Sequence, residues 1–134
     1  MPLARIEIDV DLLRAVADGK VDLKLEDITV NTISLFELQA KAAKLKVPAN
    51  FVIEAIEAIL KTFKIEQFHK PKIIEVASEI RNMLPDYIDC VIVATAVSLK
   101  NDLLTEDSLI LSRRGPIKQK YGIKISKFSE FVGK

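Results

Sequence analysis

The sequence predicts an α/β protein in which helices cover both faces of a central, mainly parallel sheet. Strand-like apolar runs alternate along the chain with segments of helical periodicity, which is the pattern of such a sheet. The 134 residues are 49% hydrophobic and 29% charged, which is typical of a globular domain with an adequate core. No repeat, low-complexity stretch or linker interrupts the pattern, so we expect a single domain over residues 1–134.

Residue patterns in the first part of the chain predict two strands and two helices. Alternation of polar and apolar residues indicates a strand over 4–10, and a short helix over 12–17 follows. The β-branched run ITVNTI predicts a strand over 28–33. A helix is then expected to open at Ser34 and to end at Pro48.

The second part of the chain continues the alternation of helices and strands. Asn50 is predicted to cap the helix FVIEAIEAILKTF, whose apolar residues follow helical spacing. Pro71 stands where a first-turn proline belongs. The remaining predicted elements are a strand over 65–68, helices over 71–84 and 86–100, a strand over 102–105, a short helix from Ser108, a strand over 121–126 and a helical turn over 127–133.

Composition excludes several classes of protein. The single cysteine, Cys90, cannot form an intramolecular disulfide, and the single histidine, His69, leaves nothing from which to assemble a zinc site. The first residues lack the basic and apolar regions of a signal peptide, and no apolar run reaches the roughly 18 residues that span a bilayer. We therefore expect a cytoplasmic protein without a membrane partner, in which any metal is held by carboxylates.

Acidic residues are predicted to meet at one edge of the sheet. A helix from Asp89 to Lys100 rises about 16 Å, and the strand after it returns a similar distance at roughly 3.3 Å per residue. Asp89 and Asp107 should therefore be neighbours at the carboxyl edge of the sheet. Glu37, placed in the first helical turn after the strand over 28–33, should lie at the same edge, where open α/β sheets bind ligands.

Each of these acids also has a purely structural explanation. Ser34 and Glu37 match a capping box, Asp89 would interact favourably with a helix dipole, and Asp107 could cap the next helix. Together, however, three carboxylates repel one another unless a cation neutralises them. Clustered oxygen ligands suit Mg²⁺ or Mn²⁺, and hydrolysis of a phosphoester is the natural chemistry of such a site.

Three segments that carry these acids resemble successive motifs of the PIN domain, a family of small metal-dependent ribonucleases that includes VapC-like toxins. They are NTISLFEL, DCVIVATA and LLTED. By position, Glu37, Asp89 and Asp107 match the second, third and fourth acids of the family quartet. Thr105 matches a hydroxyl that supports the site, and Ser34 is close enough to the second acid to orient it.

The resemblance also has consequences for fold and partners. It implies a three-layer α/β/α arrangement, Mg²⁺ or Mn²⁺ as cofactor, endonucleolytic cleavage of RNA, a homodimer and an antitoxin protein as partner. A receiver domain, which also places acids at this edge, would require an aspartate after the short strand IEQF, and none follows.

The first acid of the quartet can be placed in two ways. In one alignment it is Asp9, at the end of the strand in ARIEIDVDLL. The alternation in that strand is unlike a central strand that is buried on both faces, and the interval to Glu37 is shorter than PIN domains usually show. In the other alignment MPLARIEID follows the first strand, and the first acid lies upstream of Met1. Two functions therefore stay open, an active endoribonuclease and a degenerate PIN-like module that binds RNA or a protein without cleavage.

Basic residues are concentrated at the carboxyl terminus. Residues 112–134 contain seven lysines and arginines and one acid, whereas the rest of the chain is net acidic. Such asymmetry steers a polyanion towards one side of a protein, although a solvated lysine-rich tail has the same composition. We predict that Arg113 and Arg114, just beyond the fourth acid, contact RNA phosphates.

Overall fold

Five parallel strands and six helices are present in the computed structural model, which describes residues 6–8, 28–127, 129 and 130. The strands are β1 (Ile6–Ile8), β2 (Ile28–Asn31), β3 (Lys64–Glu66), β4 (Asp102–Leu104) and β5 (Ile125–Ser126). The helices are α1 (Thr32–Lys44), α2 (Ala49–Thr62), α3 (Pro71–Ile80), α4 (Tyr87–Leu99), α5 (Ser108–Ser112) and α6 (Arg114–Tyr121). The prediction of an α/β protein with a parallel sheet is confirmed.

The strands lie in the order β3-β2-β1-β4-β5, so that β1 is central. Its residue Ile6 pairs with Ile28 on one side and with Asp102 on the other. The alternation of polar and apolar residues did not predict this central position, because alternation indicates which face of a strand is apolar and not how many strands flank it. Asp9 and the helix predicted over 12–17 lie outside the described residues.

Leu103 and Leu104, on β4, show that apolar cores lie on both faces of the sheet. Neighbouring residues of a strand point to opposite faces of the sheet. Leu103 belongs to the larger apolar core, which α3 and α4 dominate, whereas Leu104 packs with Ile28, Val30 and Leu35 in a second core. Each face of β4 thus contacts a different core.

Helix α1 begins earlier than predicted. The Asn31 side chain accepts a hydrogen bond of 2.8 Å from the Ile33 amide and caps the helix, so β2 ends at Asn31. The prediction was wrong because Thr32 and Ile33 are β-branched and favour a strand, whereas the cap decides the boundary. Ser34 is consequently in the first turn and Glu37 in the second, where it cannot form a capping box with Ser34.

Other boundaries differ for similar local reasons. Pro48, not Asn50, precedes α2, and it contributes no side-chain cap. Helix α4 agrees closely with prediction, because Asp86 accepts hydrogen bonds from the amides of Ile88 and Asp89. Among the described residues, no helix is long and apolar enough to cross a membrane.

Candidate active site

The topology places the predicted acids near one edge of the sheet. Because all the strands are parallel, their carboxyl ends share an edge. There β2 leads into α1, which carries Glu37, and β4 leads to Asp107. Helix α4 immediately precedes β4 and packs against it, so its first turn, which holds Asp89, lies towards the same edge.

Asp89 is a buried carboxylate, with 9% of its surface exposed. The cap of α4 is supplied by Asp86, whose Oδ1 is 2.8 Å from the Ile88 amide nitrogen and 3.4 Å from that of Asp89. The Asp89 side chain is therefore not the N-cap of its own helix. A charge removed from water is costly unless a counter-charge or hydrogen bonds compensate it, and this burial distinguishes Asp89 from the exposed acids of the chain.

Asp107 caps α5, which confirms the prediction that it could cap the next helix. Its Oδ1 accepts a hydrogen bond of 3.0 Å from the Ile110 amide. Its own amide donates to Thr105 Oγ1 at 3.1 Å, and Thr105 is fully buried. Thr105 therefore fixes the turn that carries Asp107. A carboxylate has two oxygens, so capping is compatible with a second ligand.

Ser34 and Glu37 lie on the same side of α1, one turn apart. Ser34 is fully buried, and its Oγ has no hydrogen-bond partner within the part of the chain that the structure describes. An unsatisfied buried hydroxyl is costly. Its location beside a half-buried Glu37 fits a site that a further group completes.

The described residues include no cluster of three histidine, cysteine or acidic side chains that could hold a metal ion. Glu37, Asp89 and Asp107 therefore do not form a complete metal site by themselves. The carboxylate and hydroxyl oxygens near this edge are nevertheless the donor types that Mg²⁺ and Mn²⁺ prefer. Asp9, the predicted first acid, directly follows central strand β1 in the sequence.

Asn31 and Thr95 form a buried polar link that joins β2 to α4. Asn31 Nδ2 donates to Thr95 Oγ1, and the Thr95 hydroxyl donates to the carbonyl of Val91, each at 2.7 Å. Asn31 thus ends β2, caps α1 and contacts α4 with one side chain. Thr95 was not predicted from the sequence, although a hydroxyl inside the apolar run CVIVATAV is a usable signal.

The two arginines predicted to contact RNA differ in their surroundings. Arg113 is exposed. Arg114 Nη1 is 2.7 Å from Glu130 Oε1, and this hydrogen bond is the main cause that lowers the pKa of Glu130 to about 2. Glu130 therefore stays ionised at neutral pH and already occupies part of the Arg114 guanidinium.

Cys90 is a structural residue of the core. It is fully buried, and its thiol donates to the carbonyl of Leu84. Burial raises the pKa of the thiol. A protonated, inaccessible thiol is not a nucleophile.

Comparison with known proteins identifies the family. Residues 5–114 match the sequence profile of the PIN domain. The chain belongs to the PIN domain family. The matched region begins at Arg5 and includes β1, which is central in the sheet. Which residue supplies the first acid stays a prediction, because Asp9 lies outside the described residues.

Solved structures similar to this PIN domain include proteins from three organisms. VapBC2 from Rickettsia felis, bound to a DNA fragment from their promoter, has a TM-score of 0.69 and 17% identity, covering 91% of this chain and 97% of that chain. PAE2754 from Pyrobaculum aerophilum has a TM-score of 0.70 and 15% identity over 98% and 94% of the two chains.

A toxin-antitoxin complex from Klebsiella pneumoniae has a TM-score of 0.59 and 18% identity over 77% of this chain and 87% of that chain. At these identities the similarity shows a shared fold. No curated protein sequence matches this PIN domain.

Proposed function

We propose that this PIN domain is a metal-dependent endoribonuclease and the toxin of a toxin-antitoxin pair. The observation that carries the proposal is the buried Asp89 at the start of α4, whose helix cap Asp86 already supplies. A carboxylate in that position has a clear use as a ligand for a divalent cation. The same proposal includes a three-layer α/β/α arrangement, which the two apolar cores on opposite faces of β4 support.

Four acids would hold the metal. Asp89, Glu37 and Asp107 would be joined by Asp9, and the carboxylate set fits Mg²⁺ or Mn²⁺. When bound, such an ion lowers the pKa of its water and neutralises charge on the phosphate. Thr105 holds the turn of Asp107 in place through its hydroxyl. Ser34 is a buried hydroxyl available to orient Glu37 or a water.

RNA is the substrate in this proposal, and Arg113 and Arg114 are its predicted phosphate contacts. Contacts of this type position the strand without reading its sequence. The exposed Arg113 is directly available to a phosphate. Arg114 first has to exchange its contact with Glu130.

The antitoxin would occupy an apolar groove of about 420 Å³ on α1 and α2. Helix α2 has no buried residue, and Phe51 and Ile53 are 58% and 57% exposed. Apolar surface of this kind usually marks a protein interface. The Klebsiella pneumoniae structure, a toxin-antitoxin complex of related fold, supports the same partner class. A homodimer is also predicted, and light scattering on the purified chain would detect it.

A second candidate function is a degenerate PIN module that binds RNA or a protein without cleavage. The observation that favours it is the lack of a three-ligand metal cluster among the described residues. In the first candidate Asp9 completes the set of four acids, whereas in the second the set is incomplete.

The deciding experiment incubates the purified chain with varied single-stranded and structured RNAs, with Mg²⁺, Mn²⁺ or excess chelator. We expect cleavage with either metal and none with chelator, because the attacking hydroxide forms near neutral pH only when a cation lowers the pKa of its water. Restoring the metal should restore cleavage. Binding of RNA without cleavage under every metal condition would favour the degenerate module.

A further inference from the structure

A basic cleft of about 380 Å³ lies between α6 and β5. Three cationic side chains line it, those of Arg114, Lys118 and Lys124, together with one acid, Glu130. The rest of its lining is small or apolar, with Gly115, Ile125 and Ser126. The cleft is therefore shaped and charged to receive an anion.

The cleft borders the candidate active site. Strand β5 pairs with β4 at the edge of the sheet, with Ser126 opposite Leu104. The Thr105 amide donates to the Ser126 carbonyl at 3.1 Å. Thr105 in turn holds the turn of Asp107. One wall of the cleft is thus bonded directly to the segment that positions the predicted fourth acid.

Glu130 is the anion that the protein itself supplies to this cleft. Its Oε1 is 2.7 Å from Arg114 Nη1 and 2.9 Å from the Lys127 amide nitrogen. Ion pairs to Lys118 or Lys124 do not occur among the described residues, and both lysines are exposed. The cleft therefore has an excess of positive charge, because the Glu130 carboxylate is paired with Arg114 and not with either lysine.

We propose that this cleft binds a backbone phosphate of the RNA strand beside the cleavage site, and that Glu130 competes with that phosphate for Arg114. The inference rests on the proposed function for the identity of the polyanion. A phosphate fits because it accepts from a guanidinium and from ammonium groups at once. Displacement of Glu130 releases a carboxylate that is already half-exposed, so the exchange needs no rearrangement of the core.

The test measures equilibrium binding of a short single-stranded RNA to the full chain by fluorescence anisotropy in chelator, so that cleavage does not interfere. Glu130→Gln should tighten binding about two- to five-fold, the effect of removing one exposed competing charge. The double variant Lys118→Ala, Lys124→Ala should weaken binding and flatten the salt slope by about 1.4 units, since single strands give about 0.7 per phosphate contact. Lys61→Ala, an exposed lysine at the end of α2, is the matched control and should change neither quantity.

Several outcomes would overturn the inference. Unchanged affinity and salt slope in the double lysine variant would show that the cleft is not part of the RNA track, and so would weaker binding by a folded Glu130→Gln protein. An acidic peptide of equal charge that binds the cleft as tightly as RNA would assign it to a protein partner. If thermal melting shows that Glu130→Gln unfolds, the double lysine variant alone decides.

The result is separable from the proposed function. Cleavage without any effect of the cleft variants on binding would leave the nuclease and remove the cleft from its substrate path. Cleft-dependent binding without metal-dependent cleavage would leave the RNA site and remove the nuclease.

Discussion

Asn31 and Thr95 are joined by a hydrogen bond of 2.7 Å between two fully buried side chains, Asn31 Nδ2 and Thr95 Oγ1. Asn31 caps α1, which carries Glu37, and Thr95 lies on α4, which carries Asp89. The bond therefore fixes the relative position of two helices that each contribute a predicted metal ligand. Asn31 also accepts a hydrogen bond from the Ile33 amide, and Thr95 also donates one to the Val91 carbonyl. Both side chains are therefore held in place.

Replacing Thr95 with valine should lower the free energy of unfolding by about 1–3 kcal/mol, because it removes a buried hydrogen bond from the Asn31 amide. Thr95→Ser retains the hydroxyl and should lose less. Denaturant unfolding measures both. The variants should also differ in cleavage, with Ser above Val. A Thr95→Val protein as stable and active as the wild type would show that the link is dispensable.

Asp107 caps α5 and is also a proposed metal ligand, and two variants distinguish these roles. Asp107→Asn can still accept the Ile110 amide hydrogen bond, so its stability should stay near that of the wild type. Asp107→Ala removes the cap and should lose about 1 kcal/mol. Both should lose metal-dependent cleavage, because both remove the charge. Full cleavage by a stable Asn variant would reduce Asp107 to a cap.

Glu130 should make the stability of the folded protein depend on pH in the acidic range. Its pKa falls from an ordinary 4.5 to about 2 in the folded protein, chiefly through the hydrogen bond from Arg114. The carboxylate therefore contributes stability that is fully present above pH 4.5 and is lost as the pH falls towards 2. Melting temperatures measured between pH 5 and 2 should fall more steeply for wild type than for Glu130→Gln. Parallel curves would show that the ion pair contributes nothing measurable.

The sequence predicted α4 well because two independent signals agree there. Asp86 is a strong capping residue directly after Pro85, and the apolar run that follows is longer than a typical strand, which favours a buried helix. By contrast, α6 was not predicted as a separate helix, since only a short helix from Ser108 was expected. Gly115 and Pro116 are in the first turn of α6, where proline is tolerated.

Contacts between distant segments could not be predicted in the same way. The Arg114 and Glu130 pair joins α6 to residues beyond β5, and it depends on how the edge of the sheet is packed. The central position of β1 likewise depends on pairing with β2 and β4, which residue alternation does not encode. The motifs predicted three acids, whereas the tertiary fold determines their surroundings.

Asp9→Asn tests whether the metal quartet is complete within this chain. If Asp9 is the first acid, this variant should lose cleavage to the same extent as Asp89→Asn, since both remove one ligand charge from the same site. Calorimetric titration with Mn²⁺ should show a parallel loss of binding. Undiminished cleavage and metal binding in Asp9→Asn would place the first ligand elsewhere.

The most direct test of the central claim is the metal-dependent RNA cleavage rate of Asp89→Asn beside that of wild type and of Glu54→Gln, an exposed carboxylate on α2 that serves as the control. Asparagine keeps the shape of the buried side chain and removes its charge. We expect Asp89→Asn to fold, to melt at or above the wild-type temperature because a neutral amide is less costly to bury than a carboxylate, and to show no cleavage with Mg²⁺ or Mn²⁺. Glu54→Gln should cleave as wild type does. An Asp89→Asn protein that cleaves RNA at the wild-type rate would contradict the account.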